Sequence, residues 1–97
     1  MIEQEIISDV ADIYGITVDN IISRRRIRKY VDARVVVSYV LYYFRSVTLM
    51  EIGKRLNRSH ASIIYFNRKA DDWMRMPAIN DEGYKAIKKL KEKYGKS

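Results

Sequence analysis

The sequence predicts an all-α protein, a compact bundle of about six helices containing a helix-turn-helix. Three observations predict it. Apolar residues recur at helical spacing in most segments. Only one proline and four glycines interrupt the 97 residues, too few for a turn-rich β fold. Between residues 48 and 74 a short helical segment, a tight turn and a longer helical segment follow one another. The chain has room for one domain and one modest core, and a hydrophobic content of 47% suits folding.

Ile2, Ile6, Ile7, Val10, Ile13 and Tyr14 lie at helical spacing with acids on the opposite face, so residues 2–14 read as an amphipathic helix that Gly15 stops. Thr17 caps a short second helix, Val18 to Ser23, with Ile21 and Ile22 turned inward. The stretch Arg24-Arg25-Arg26-Ile27-Arg28-Lys29 carries too much charge to be packed, and reads as a loop or as the frayed start of the next helix.

Residues 30–45 are ambiguous. Val35 to Val37 and Tyr39 to Phe44 suit a buried strand by propensity, but a lone strand leaves its backbone groups unpaired. The run reads better as a central helix, apolar nearly all round because neighbours cover it. Tyr39, Tyr42 and Tyr43 are therefore expected in the core.

Thr48-Leu49-Met50-Glu51 has the pattern of a capping box and opens a helix from Leu49 to Leu56. Gly53 sits inside it, a costly place for glycine, which points to close helix packing. Asn57-Arg58-Ser59 makes a turn, and Ser59 caps a helix from His60 to about Met74. Ile63, Phe66, Ala70 and Trp73 or Met74 form its inward stripe, leaving Ser62, Tyr65, Arg68 and Lys69 outside. Pro77 ends that helix. Asn80-Asp81-Glu82 starts a last one, residues 81–94, with acids in its first turn and lysines in its last. Tyr84, Ile87 and Leu90 face inward there. With no internal repeat and no long linker, residues 1–97 read as a single domain.

Net charge is +7, and it is unevenly placed. Residues 1–20 hold five acids and no lysine or arginine, whereas residues 24–69 hold twelve basic residues, mostly arginine, against Asp32 and Glu51. Such a field draws polyanions to one face, and the planar fork of arginine suits phosphate and base edges. No cysteine is present and only one histidine, so a thiolate zinc site, a catalytic triad and a metal cage are not expected. The chain reads as a non-enzyme without cofactor. Its longest apolar run, Val35 to Phe44, is about half the length of a membrane span. Glu3 and Glu5 stand where a signal peptide would be basic. A cytoplasmic protein, without membrane association, is the expectation.

In a helix-turn-helix the second helix enters the major groove N-terminus first. Here that end offers Arg58, Ser59, His60 and Ser62, whose side chains reach base edges while free N–H groups meet phosphate. Lys54, Arg68 and Lys69 would hold the DNA backbone. The competing readings are a plain helical corner and a protein-interaction module that docks partners on the acidic first helix or the basic last one.

Several stretches carry a resemblance: Val10-Ala11-Asp12-Ile13-Tyr14-Gly15-Ile16-Thr17, Ser23-Arg24-Arg25-Arg26, Arg34, Leu49-Met50-Glu51-Ile52-Gly53 and Asn57-Arg58-Ser59-His60-Ala61-Ser62-Ile63-Ile64. In order and spacing these resemble the C-terminal DNA-binding domain of the bacterial replication initiator DnaA, from about Val10 to Ala70. The resemblance implies a Trp-repressor-like helix-turn-helix that binds double-stranded DNA in replication initiation or its regulation. It places Arg26, with Arg24, Arg25 and Arg28 beside it, in a basic loop that enters the minor groove, and Arg34 among the DNA-binding residues. A surface ion pair with Asp32 or another acid is the alternative for Arg34. His60 matches the histidine of the family's Asp-His-Ser/Thr-Thr signature and Ser62 its last hydroxyl residue. The family's aspartate is Ser59 here, its first hydroxyl residue is Ala61, and its Gly-Gly-Arg turn is shortened to Asn57-Arg58. The ATPase module that precedes this domain in DnaA has a phosphate-binding Gly-x-x-x-x-Gly-Lys-Ser/Thr loop, which this sequence lacks, so no nucleotide is expected to bind. Met1 opening an apparently whole helix and the extra lysine-rich last helix favour a free-standing protein, with a monomer expected.

Overall fold

The computed structural model describes residues 1–95. Its helices are α1 (Ile2–Tyr14), α2 (Val18–Ile22), α3 (Arg28–Tyr39), α4 (Leu49–Leu56), α5 (His60–Arg75) and α6 (Asp81–Tyr94). A π-helical turn, Val40–Phe44, continues α3, and a 3-10 turn, Pro77–Ile79, links α5 to α6. No strand occurs among the described residues.

The all-α expectation holds, and the helix boundaries fall close to where the apolar spacing and caps put them. Gly15 takes the left-handed conformation, φ 65°, and ends α1. Thr17 caps α2 by accepting from the Asn20 N–H at 3.0 Å, and the Asn20 side chain accepts from the Thr17 N–H in return. At α4 the reverse happens. Thr48 accepts from the Glu51 N–H at 3.2 Å, but the Glu51 carboxylate turns to Arg55 at 3.4 Å instead of closing the box. A cation one turn away offers it a stronger partner than an amide.

Helix α3 occupies the centre, packed by α1, α2, α5 and α6. Three consecutive valines, Val35 to Val37, are fully buried, with Val40 and Leu41 beyond them, as a helix covered on every side requires. Ser38, the polar break in that run, donates to the Asn67 side-chain oxygen at 2.6 Å and ties α3 to α5. Ile21 is buried while Ile22 stays half-exposed.

The tyrosines depart from expectation. Tyr39 is half-buried, Tyr42 is 37% exposed and Tyr43 50% exposed. The i→i+5 turn shifts the phase of the side chains that follow relative to an α-helix, so Tyr42 and Tyr43 rotate out of the stripe that α3 buries, whereas Tyr39, the last residue of α3, lies at the edge of that stripe. They pack on one another instead, with ring centroids 4.6 Å apart for Tyr39–Tyr43 and 4.9 Å for Tyr42–Tyr43.

Helix α6 belongs to the core. Gly83, Ala86, Ile87, Leu90 and Tyr94 are buried, and Tyr84 only partly. Asn80 caps it by accepting from the Gly83 N–H at 2.8 Å. Its last turn grips α1: Lys93 reaches Asp9 at 2.9 Å and Glu5 at 3.8 Å, and the Tyr94 hydroxyl donates to Asp9. Burial opposes charge on Asp9, but the bonds from Lys93 and Tyr94 outweigh it and hold the carboxyl below its usual pKa. Burial and the bond to Asp9 push the Tyr94 hydroxyl up to about 12. No helix among the described residues is long and apolar enough to cross a membrane.

These shifts set a sign for pH dependence. A depressed carboxyl stabilises the fold above its unfolded pKa, and this is lost as pH falls through the folded value. The raised tyrosine stabilises below about 10 and loses its contribution as pH rises towards about 12. Tyr94→Phe should cost about 1 kcal/mol near neutral pH, the net value of one hydrogen bond. It should also flatten the alkaline limb of the stability profile, both read from urea melts across pH.

Candidate nucleic-acid interface

The helix-turn-helix is built by α4, a turn at residues 57–59, and α5. Asn57 adopts the left-handed conformation at φ 57° and ends α4, a role asparagine accepts because its side chain tolerates that region. The Arg58 N–H then bonds back to the Gly53 carbonyl at 2.8 Å. A Cβ on Gly53 would stand 2.6 Å from the Arg58 carbonyl oxygen. The close packing expected at Gly53 is therefore with the turn itself. Ser59 accepts from the Ser62 N–H at 3.4 Å and caps α5.

Along α5, Ile63, Phe66, Asn67, Ala70 and Trp73 are buried. Ser59, His60, Ala61, Ile64, Tyr65 and Arg68 are exposed, with Arg58, Ser62 and Lys69 half-exposed. Lys54 is exposed on α4. The Lys69 ammonium lies over the Tyr65 ring, 5.6 Å from its centroid.

Arg24, Arg25 and Arg26 are exposed in the segment between α2 and α3, and Arg28 is exposed in the first turn of α3. What shapes this loop is Arg34. It is only 2% exposed, and the surface ion pair with Asp32 offered as its alternative does not form, since Asp32 pairs with Arg28. Its Nε donates to the Ile21 carbonyl, and its Nη2 donates to the carbonyls of Ser23 at 2.7 Å and Arg25 at 2.9 Å. The end of α2 and the loop present carbonyls that no helix satisfies, and a planar fork meets several at once. Burial, then the nearby charges of Arg58 and Arg26, lower its pKa to about 10, which leaves it charged at neutral pH. Asp32 is held by the Asn80 amide at 3.2 Å and by Arg28 at 3.9 Å.

Arg58 also differs from a freely extended side chain. Its guanidinium folds back on the carbonyls of Asn57 at 3.0 Å and Leu56 at 3.3 Å, and reaches across to the Ser23 carbonyl at 2.8 Å. One carbonyl, that of Ser23, thus accepts from both Arg34 and Arg58. It joins the basic loop to the turn of the helix-turn-helix.

Two hollows open along this junction. The first, about 790 Å³, lies between Arg24, Lys54, Asn57, Ser59 and His60. The second, about 530 Å³, lies between Arg24, Arg26, Arg34, Arg58, Ser62 and Tyr65. No carboxylate lines either one. Among the described residues Arg24, Arg25, Arg26, Lys54, Arg58, Arg68 and Lys69 join no ion pair. Arg28 and Lys69 flank a separate hollow near Trp73 and Asn80, further along α5. Arg25 and Arg68 line none of the three. Met50, 69% exposed, and Ile64, 37% exposed, are apolar surface residues on α4 and α5 that charge and hydrogen-bonding capacity do not single out in the sequence. Their signal was present: both fall off the inward stripe of their helices. No group of His, Cys, Asp or Glu able to hold a metal occurs among the described residues.

A short helix, a left-handed turn and a second helix with a basic loop beside its N-terminus define a helix-turn-helix module. The family model described as the bacterial DnaA protein helix-turn-helix matches residues 3–70. The chain belongs to that family, whose module is a DNA-binding one. No curated protein sequence matches it. The match ends within α5, so α6 lies beyond it.

Gly53→Ala should force the turn away from α4 and cost about 1–3 kcal/mol, as overpacking does. Thermal melting would show it, with a midpoint lowered by about 4–8 °C per kcal/mol for a domain of this size.

Proposed function

We propose that the chain binds duplex DNA as a monomer, with the N-terminal end of α5 in the major groove and the Arg24–Arg26 loop in the adjacent minor groove, in replication initiation or its regulation. The observation that carries this reading is the Ser23 carbonyl shared by Arg34 and Arg58, which holds the two basic elements together beside two hollows that no carboxylate lines. The replication role rests on the family alone.

In this mechanism Arg26 senses the width and negative potential of the minor groove. Arg24, Arg25 and Arg28 neutralise phosphates beside it. His60 and Ser62 face base edges, with Ser59, Ala61 and Tyr65 around them. Lys54, Arg68 and Lys69 hold the backbone and set register. Arg34 contributes from inside by fixing the shape of the loop, and Arg58 by fixing its place against α5. Ser59 and Ala61 stand where the family's signature has an acid and a hydroxyl residue. An acid at the first position would accept from a cytosine amino group, and serine makes a weaker discriminator. The preferred site of this chain therefore differs from the family's box or is read less stringently.

Fluorescence anisotropy against a DnaA-box duplex and a scrambled copy, over a range of salt, tests the reading. Binding should be tight at low salt with a log–log salt slope of about −5, for five or six neutralised phosphates. Absence of binding to either duplex at low salt would overturn it. The two elements should also separate by mutation. Arg26→Ala weakens binding to every sequence, while His60→Ala or Ser62→Ala narrows the gap between preferred and random sites by about 1–3 kcal/mol. Identical losses on all sequences for all three variants would refute the division of roles.

A further inference from the structure

Arg34 is more than a brace. Its Nε and Nη2 are spent on backbone carbonyls, but its Nη1 donates to no atom among the described residues. The residue is nine-tenths and more buried, yet it lines the hollow of about 530 Å³ between the loop and α5. Arg24, Arg26 and Arg58 line the same hollow, and the Ser62 and Tyr65 side chains complete its α5 side. Four guanidiniums converge where no carboxylate answers them. In an unliganded protein that crowding is unfavourable; burial and the neighbouring arginines depress the pKa of Arg58 as well as that of Arg34. A tetrahedral dianion or a phosphodiester would relieve it, since guanidiniums bind such oxygens through paired N–H donors.

We propose that this hollow is the seat of a single DNA phosphate, held by the free Nη1 of Arg34 with Arg24 and Arg58 beside it, while Arg26 passes on into the minor groove. The inference deepens the DNA-binding reading and rests on it for the source of the phosphate. The seated phosphate belongs to the strand that separates the minor groove entered by the loop from the major groove entered by α5. It touches both reading elements at once, because Arg24 comes from the loop and Arg58 from the helix-turn-helix. Engaging it sets the register between the two grooves. Unlike the exposed lysine contacts, it is made in part by two groups that backbone carbonyls already hold in place, Arg34 and Arg58, so less side-chain entropy is lost on binding.

Two experiments on the full chain test the seat. In the first, single methylphosphonates, which remove one phosphate charge, are walked along the duplex. One position should lower affinity by about tenfold or more, against much smaller losses elsewhere. In Arg58→Gln, and in Arg34→Lys, which keeps the charge at position 34 but removes Nη1 together with the guanidinium bonds to the loop, that same position should lose its special penalty. Penalties spread evenly along the strand, or fully additive with both variants, overturn the proposal. Thermal melting of each variant separates loss of the seat from loss of the fold, and Arg58→Gln serves if Arg34→Lys is unstable. In the second experiment inorganic pyrophosphate is titrated while the side-chain nitrogen resonances of Arg34 and Arg58 are followed. Saturable shifts at these two residues support the seat without any DNA. Unsaturable shifts shared by all arginines overturn it. Saturation by pyrophosphate that duplex DNA fails to displace would keep the anion site and overturn its assignment to DNA, which separates this inference from the reading it rests on.

Discussion

The guanidinium of Arg34 is the interaction on which the rest of the recognition surface depends. Burying a charge costs several kcal/mol unless hydrogen bonds replace its water, and here they do, through backbone carbonyls of residues 20–25. Those carbonyls have the complementary problem. They belong to the last turn of a five-residue helix and the loop after it, where the backbone has no partners of its own. Each side's deficit satisfies the other's. The arginine-rich segment that follows, which carries no apolar anchor beyond Ile27, thereby acquires a fixed path across the surface.

The same logic extends one step outward through Arg58. Its link to the Ser23 carbonyl sets the loop against the first residues of α5, and Gly53 allows the turn to come close enough for that link to form. A loop and a helix distant in sequence become one rigid edge. Rigidity matters for the proposed engagement of two grooves of one duplex, because any slack between the elements would be lost entropy on binding. Positive charge along this edge is unneutralised within the protein, in contrast to the opposite ends of α1 and α6, where Lys93, Glu5, Asp9 and Tyr94 satisfy one another. The acidic start of the chain, which looked like a docking face, is largely consumed by these contacts and by the Glu3–Arg55 pair at 4.0 Å.

The helices were legible because each carries its own local signals. Thr17, Thr48 and Ser59 cap as hydroxyl residues before apolar periodicity do, and Gly15 and Pro77 end helices for reasons of backbone geometry alone. The aromatic segment was not legible in the same way. Tyr42 and Tyr43 read as core from composition, yet a change from α to π winding turned them outward, and nothing in residue type announces that change of phase. The carboxylate of Glu51 was likewise matched to its helix terminus by pattern, when Arg55 was the stronger competitor one turn away.

What the sequence determined by itself was the all-helical bundle, the position of the helix-turn-helix and the identity of the residues that remain on the surface of α5. These follow from caps, spacing and charge, which act between residues a turn or two apart. The tertiary structure decided which arginines face solvent and which face the backbone. Arg24, Arg26, Arg34 and Arg58 look alike as a basic set, but only the approach of α2, α3 and α4 to one another puts a row of unpaired carbonyls in front of two of them. Charge in a sequence says that a group needs a partner; the partner's identity depends on what the fold brings within about 3 Å.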